Sequence, residues 1–216
     1  MISLENDTRL NLIAVATPLF ATKGFAGVSI RELTVAAQIN VSAISYYFNG
    51  KEGLYQAVLK EQLAPIPEAL QLAKDRESLS PTGRLTFYAE QVAGIHARRP
   101  FLARFIQSEI INPTEYGGPI IESHLAQAFH FMNTALQEGV ATGEFRPDLD
   151  STYATISLAG ILNFYFMTRP LIQKLLPLTK HTNSESQYTA HAFRVYLQGI
   201  KNCPPAEITG ESNKYT

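Results

Sequence analysis

The chain has 216 residues, 45% hydrophobic and 17% charged, the composition of a soluble globular protein with room for one or two domains and a real core. No run of about 18 apolar residues occurs, which argues against a transmembrane helix, and Cys203 as the only cysteine excludes an intrachain disulfide and a cysteine-built zinc site. The formal net charge is −1, and residues 1–60 balance five basic against four acidic side chains, so charge alone does not mark a nucleic-acid binder.

The opening MISLENDTRLN is acidic and lacks the apolar segment of a signal peptide, which predicts a cytoplasmic protein. A first helix is predicted over residues 8–23, with Leu12, Ala16, Leu19 and Phe20 at helical spacing. Pro18 inside it removes a backbone donor and predicts a local kink, and Gly24 offers a left-handed cap. Ser29 with Glu32 three residues on is a capping box, opening a short helix over Ile30, Leu33 and Ala37. Gln38-Ile39-Asn40 is a tight turn, and Asn40 is placed to cap a second short helix, Val41 to Phe48, with Ile44, Tyr47 and Phe48 in one stripe. Two short helices joined so tightly cross steeply and leave one face of the second free, a helix-turn-helix. That face carries Ser42, Ser45 and Tyr46, suited to base edges and phosphates in a major groove. Ser29 offers a phosphate both its hydroxyl and a helix N-terminus.

A helix over residues 51–64 buries Leu54, Val58 and Leu59 and ends at Ala-Pro-Ile-Pro. This divides the chain into residues 1–64 and a larger part, 65–203. Helices are predicted there at 68–75, 82–98 after Ser80-Pro81, 101–111, 119–142, from 151 to about 176 across Pro170, and from about 186 to 200. A polar loop separates the last two at 179–184, and residues 204–216 read as a disordered tail. No strand pattern or repeat appears, so the fold class is all-α. The helix from Ser151 is apolar on nearly every side, through Ile156, Leu158, Ile161, Leu162 and Phe164 to Met167. Such a helix needs cover all round, part of it from a second subunit.

Ala16-x-x-Leu19-Phe20-x-x-x-Gly24-Phe25, Ser29-x-Arg31-x-Leu33, Ile39-Asn40 and Tyr47-Phe48-x-x-Lys51-Glu52-x-Leu54 together resemble the N-terminal domain of the TetR/AcrR family of transcriptional regulators. The segments RPFLARFIQSEIINPT, GEFRPDLDSTYA and LNFYFMTRPL are similar to the C-terminal domain of the CecR-like branch of that family. The resemblance implies an N-terminal three-helix helix-turn-helix domain followed by a helical ligand-binding and dimerisation domain. It implies that Arg31 and Lys51 meet the DNA, that Val41, Ser42 and Ala43 face bases, and that Ser45, Tyr46 and Tyr47 reach bases and backbone, with Ser29 and Asn40 in the same contact set. Its further implications are a double-stranded operator, a homodimer through the last two helices and a small-molecule effector. Two positions depart from the family pattern. Gln38 stands where the turn usually has Gly, and Ser45 where the recognition helix commonly has Tyr.

An effector pocket is expected among the helices from 82 to 168, touched by Phe101, Phe105, Glu109, His124, Asn163, Phe164 and Met167. Polar residues on apolar helices are the better pointers because a buried polar group needs a partner; His96, Gln107 and His130 join the set on that ground. His124 and His130, six apart, do not share a helix face, and no metal or cofactor is expected. No glycine-rich phosphate loop or Ser/His/acid set is recognisable, so no catalytic residue is expected. The function expected is a repressor released from a palindromic operator by a small molecule. Its alternatives are an effector-independent helix-turn-helix protein and an all-helical enzyme.

Overall fold

The computed structural model describes residues 2–76, 78–176 and 184–202. Residues 179–183 of the predicted polar loop and the predicted tail lie outside them. The described residues are helical almost throughout, with one isolated bridge between Phe145 and Lys201.

The N-terminal unit consists of α1 (Ile2–Lys23), α2 (Ile30–Ala37), α3 (Val41–Phe48) and α4 (Lys51–Leu63). Helix α1 begins six residues before the predicted 8, since residues 2–7 hold no breaker. It passes through Pro18 without ending. Gly24 closes it at φ +71°, a conformation that costs glycine little. The Ser29 hydroxyl accepts from the Glu32 amide at 3.1 Å, as the capping box requires. Gln38 does occupy the left-handed region, at φ 55° and ψ 46°, and its amide closes α2 onto Thr34 and Val35. Asn40 sits at the start of α3 with extended backbone, but its side chain makes no capping hydrogen bond. The predicted side-chain cap is therefore absent, and α3 starts from the Ala43 amide bonding the Asn40 carbonyl at 3.0 Å.

Ala64 belongs to both α4 and α5 (Pro65–Lys74), in helical geometry at φ −47° and ψ −39°. A residue before proline usually avoids that region. Here it makes α5 leave α4 directly, so the proline segment is a corner rather than a linker. Then follow α6 (Pro81–Arg98), α7 (Leu102–Ile111), α8 (Gly118–Ala141), α9 (Ser151–Leu175) and α10 (Ser184–Ile200). Ser80 caps α6, as Ser80-Pro81 predicts, and of the two residues able to cap α9, Asp150 and Ser151, it is Asp150 that does so.

Burial divides the molecule into two apolar cores. One fills the C-terminal unit between α6, α8, α9 and α10, around Leu85, Phe131, Leu136, Leu158 and Phe193. The other joins Leu12, Phe20, Ile44, Phe48, Tyr55 and Leu59 to Leu102, Phe105, Ile106 and Ile121. The second core thus crosses the corner at Ala64 and ties the N-terminal unit to α7 and the start of α8.

Candidate functional site

Helix α3 lies on the turn with Ile44 and Phe48 buried and its other side in solvent. Val41 is 55% and Tyr46 72% exposed. Ser42 and Ser45 share that open face, with Ala43 half-buried beside them. Asn40, Ser29 and Arg31 are exposed as well. Tyr47 departs from this face. It is half-buried, 4.9 Å from Tyr46 edge to face, in a depression it shares with Arg9, Gly53 and Lys60.

The cations are not equally available. Lys23 pairs with Glu32, whose carboxyl is held below its usual range chiefly by that lysine. Lys51 donates to the carbonyl oxygens of Phe25 and Val28 at 2.9 and 2.8 Å and stands 4.2 Å over the Phe25 ring. An ammonium has three N–H donors, so one remains for an external anion. Arg31 forms no ion pair among the described residues.

At the junction between the units, the Tyr55 hydroxyl of α4 donates to Glu109 of α7 at 2.5 Å. Glu109 is 3% exposed and also accepts from the Thr114 amide at 2.8 Å and hydroxyl at 3.1 Å. Burial, then the carboxylate beside it, drives the Tyr55 phenol far above its ordinary value. The loop after α7 completes the joint, with Tyr116 5.1 Å from Phe25 and its carbonyl accepting from Gln56 at 3.4 Å.

A cavity of about 40 Å³ lies inside the C-terminal unit, against Ile66 and between α6, α7, α8 and α9. Its apolar wall includes Val92, Ile95, Leu102, Ile106, Met132 and Leu162, and its polar groups are Tyr88, His96, His124 and Asn163. Burial lowers the His96 pKa to about 4, against an opposing hydrogen bond with Asn163, and its ring stacks 3.9 Å from Phe166. Asn163 also donates to the Ala159 carbonyl at 2.9 Å.

Of the predicted pocket residues, His124 and Asn163 line this cavity, and His96 does as well. The others lie outside this lining. Phe101 and Phe105 turn toward the N-terminal core, Phe105 facing the Tyr55 ring at 6.3 Å. Glu109 is bound at the junction. Phe164 is 61% exposed on the outer face of α9, and Met167 packs on the C-terminal core outside the lining. Gln107 and His130 are not in the lining either. Tyr88 and Tyr55 escaped the sequence reading because a tyrosine at a helical core position reads as apolar; only its hydroxyl distinguishes it.

Along α9, Tyr153, Ile156, Phe164, Leu171 and Leu175 remain exposed, with Gly160 open between them, and Val195 is exposed on α10. They recur at helical spacing as one uncovered apolar stripe.

A helix-turn-helix with an open second helix, joined through a shared core to a helical unit with an internal cavity, defines a DNA-binding transcriptional regulator. The family profile of bacterial regulatory proteins, tetR family, matches residues 12–58, and that of the tetracyclin repressor-like C-terminal domain matches residues 81–194. The chain belongs to the tetR family. It is 26% identical over 200 residues to the Bacillus subtilis protein described as "Probable HTH-type transcriptional regulator YttP", covering 92% of each chain. Its fold is similar to that of the ketosteroid transcriptional regulator KstR2 of Mycobacterium tuberculosis, with TM-score 0.73 and 19% identity over 90% of this chain and 95% of that one. It is also similar to AibR in complex with isovaleryl coenzyme A and operator DNA, with TM-score 0.68 and 17% identity over 85% and 95% of the two chains.

Proposed function

We propose that the protein is a homodimeric repressor that a small molecule releases from a palindromic operator in the cytoplasm. Residues 1–64 read DNA, and residues 65–203 bind the effector and the second subunit. Val41, Ser42 and Ala43 face bases, Ser45 and Tyr46 reach bases and backbone, and Ser29, Arg31, Asn40, Tyr47 and Lys51 flank them toward the phosphates. Val41 and Ala43 suit thymine methyl groups. The two α3 helices stand about 34–36 Å apart, or a larger spacing that keeps them in major grooves on one face of the duplex. The apolar stripe of α9 with α10 supports the dimer, and the RPFLARFIQSEIINPT and LNFYFMTRPL segments support placing the sensor with the CecR-like branch.

The observation that carries ligand release is the double attachment of α8. Its Ile121 belongs to the core shared with Tyr55 and Leu59, while His124, Leu125 and Met132 line the cavity. About 40 Å³ holds a few waters at most, far below the several hundred Å³ of a drug-sized site. A ligand must therefore part α8 from α6 and α9, and that movement reaches α4 through the shared core. Binding favours the displaced arrangement, and only that difference in affinity can drive release.

The test is a screen of fragment-sized apolar compounds against DNA that the protein has selected from a random pool, with calorimetry on the full chain. Release predicts compounds that both bind the protein and lower its DNA affinity. If every compound that binds leaves DNA affinity unchanged, the protein is an effector-independent binder.

A further inference from the structure

We propose that the ligand of the cavity is an uncharged, mostly apolar molecule with one hydroxyl or carbonyl group, held by Tyr88 and His124; this rests on the cavity being the effector site.

The lining contains no Lys, Arg, Asp or Glu. An organic anion such as a carboxylate would be buried there without a permanent cation, and an amine without a carboxylate, each at a desolvation cost that neutral hydrogen-bonding groups offset only in part. His96 supplies no charge at neutral pH, because burial keeps its imidazole unprotonated. The polar groups present then decide which neutral function is welcome. His96 and Asn163 are engaged with each other, and Asn163 also with the Ala159 carbonyl. Tyr88 is 5% exposed, and its hydroxyl has no partner among the described residues. The His124 Nδ1 lies 2.7 Å from the Ile120 carbonyl oxygen, which can only accept, so Nδ1 carries the proton in the neutral ring. Its Nε2 is then an acceptor. The cavity thus holds one O–H donor without a partner and one ring nitrogen able to accept. A hydroxyl can accept from the phenol or donate to the imidazole, and a carbonyl takes the phenol proton. The remaining wall is aliphatic, with Val92, Ile95, Leu102 and Leu162 offering only dispersion and burial.

The experiment titrates the full chain, wild type and Tyr88→Phe, with 4-phenylbutan-1-ol, 4-phenylbutanoate and butylbenzene, following binding by calorimetry and affinity for selected DNA on the same samples. The expected order is alcohol over hydrocarbon over carboxylate. In Tyr88→Phe the alcohol should weaken by about tenfold, one buried hydrogen bond's worth, while butylbenzene binds as before. Butylbenzene binding also shows that the variant cavity is intact. A carboxylate that binds as tightly as the alcohol, an alcohol preference that survives in Tyr88→Phe, or no binding by any of the three overturns the proposal. An alcohol that binds with the expected preference yet leaves DNA affinity unchanged supports the ligand class and overturns ligand release. A carboxylate that binds best and releases DNA does the reverse.

Discussion

Tyr55 on α4 and Glu109 on α7 meet through a 2.5 Å hydrogen bond, and among the described residues the carboxylate has only neutral donors, Tyr55 and Thr114. The bond crosses from the DNA-reading unit to the sensor. A buried carboxylate stripped of one donor keeps its desolvation cost, so Tyr55→Phe should lose about 1–3 kcal/mol of unfolding free energy in urea titration. Tyr46→Phe, on the open face of α3, should change stability by less than about 0.5 kcal/mol. Equal effects at the two sites would show that the junction bond contributes nothing of its own.

His96 makes the sensor acid-sensitive. Its folded pKa is lowered to about 4, below the ordinary 6.5 that it regains on unfolding. Between those values the unfolded state binds more protons, so stability is complete above pH 6.5 and falls as pH drops toward 4. The loss from this one residue should be up to about 3 kcal/mol across that window. His96→Phe should flatten the dependence of unfolding free energy on pH between 6.5 and 4, which denaturant titrations at stepped pH would read directly. An unchanged slope would assign the acid sensitivity to other groups.

Lys51 and Arg31 should fail differently. Lys51→Met removes charged donors from the Phe25 and Val28 carbonyl oxygens, so stability should fall by about 1.5–3 kcal/mol as well as DNA affinity. Arg31→Ala, with no ion pair to lose, should leave unfolding nearly unchanged. It should weaken binding to all DNA sequences alike and reduce the salt slope of binding by about one. A change confined to one base position would mean that Arg31 reads sequence.

Phe164→Glu tests the α9 stripe. The side chain points into solvent in the single chain, so helix content should be kept. A buried charge in a subunit interface should shift sedimentation from dimer toward monomer and cost operator affinity with it. A variant that remains a dimer would move the interface elsewhere.

How much of this the sequence reveals depends on distance along the chain. The helix-turn-helix is written within twenty residues, by the Ser29–Glu32 cap, the tight turn and the Ile44–Phe48 stripe, and each signal is local. Its family positions add the DNA role that a net charge near zero withholds. The cavity is not local. Helical period marks Phe105 as inward, but not that it turns to the N-terminal core and away from the cavity. Phe164 is 61% exposed on the outer face of α9, and an apolar residue there looks in sequence like core packing. Glu109, expected at the effector pocket because a buried polar group needs a partner, finds its partners in Tyr55 and Thr114, 54 residues before it and 5 after. Lys51 likewise shows how a borrowed phosphate contact can carry a structural task that only coordinates reveal.

Selection of bound duplexes from a random pool by this chain reads out whether it binds double-stranded DNA symmetrically. A symmetric reader enriches an inverted repeat whose half-sites are centred about 10 base pairs apart, or at a larger spacing that keeps both α3 helices on one face of the duplex. Enrichment of a single unrepeated site, or no sequence enrichment over the starting pool, would contradict it.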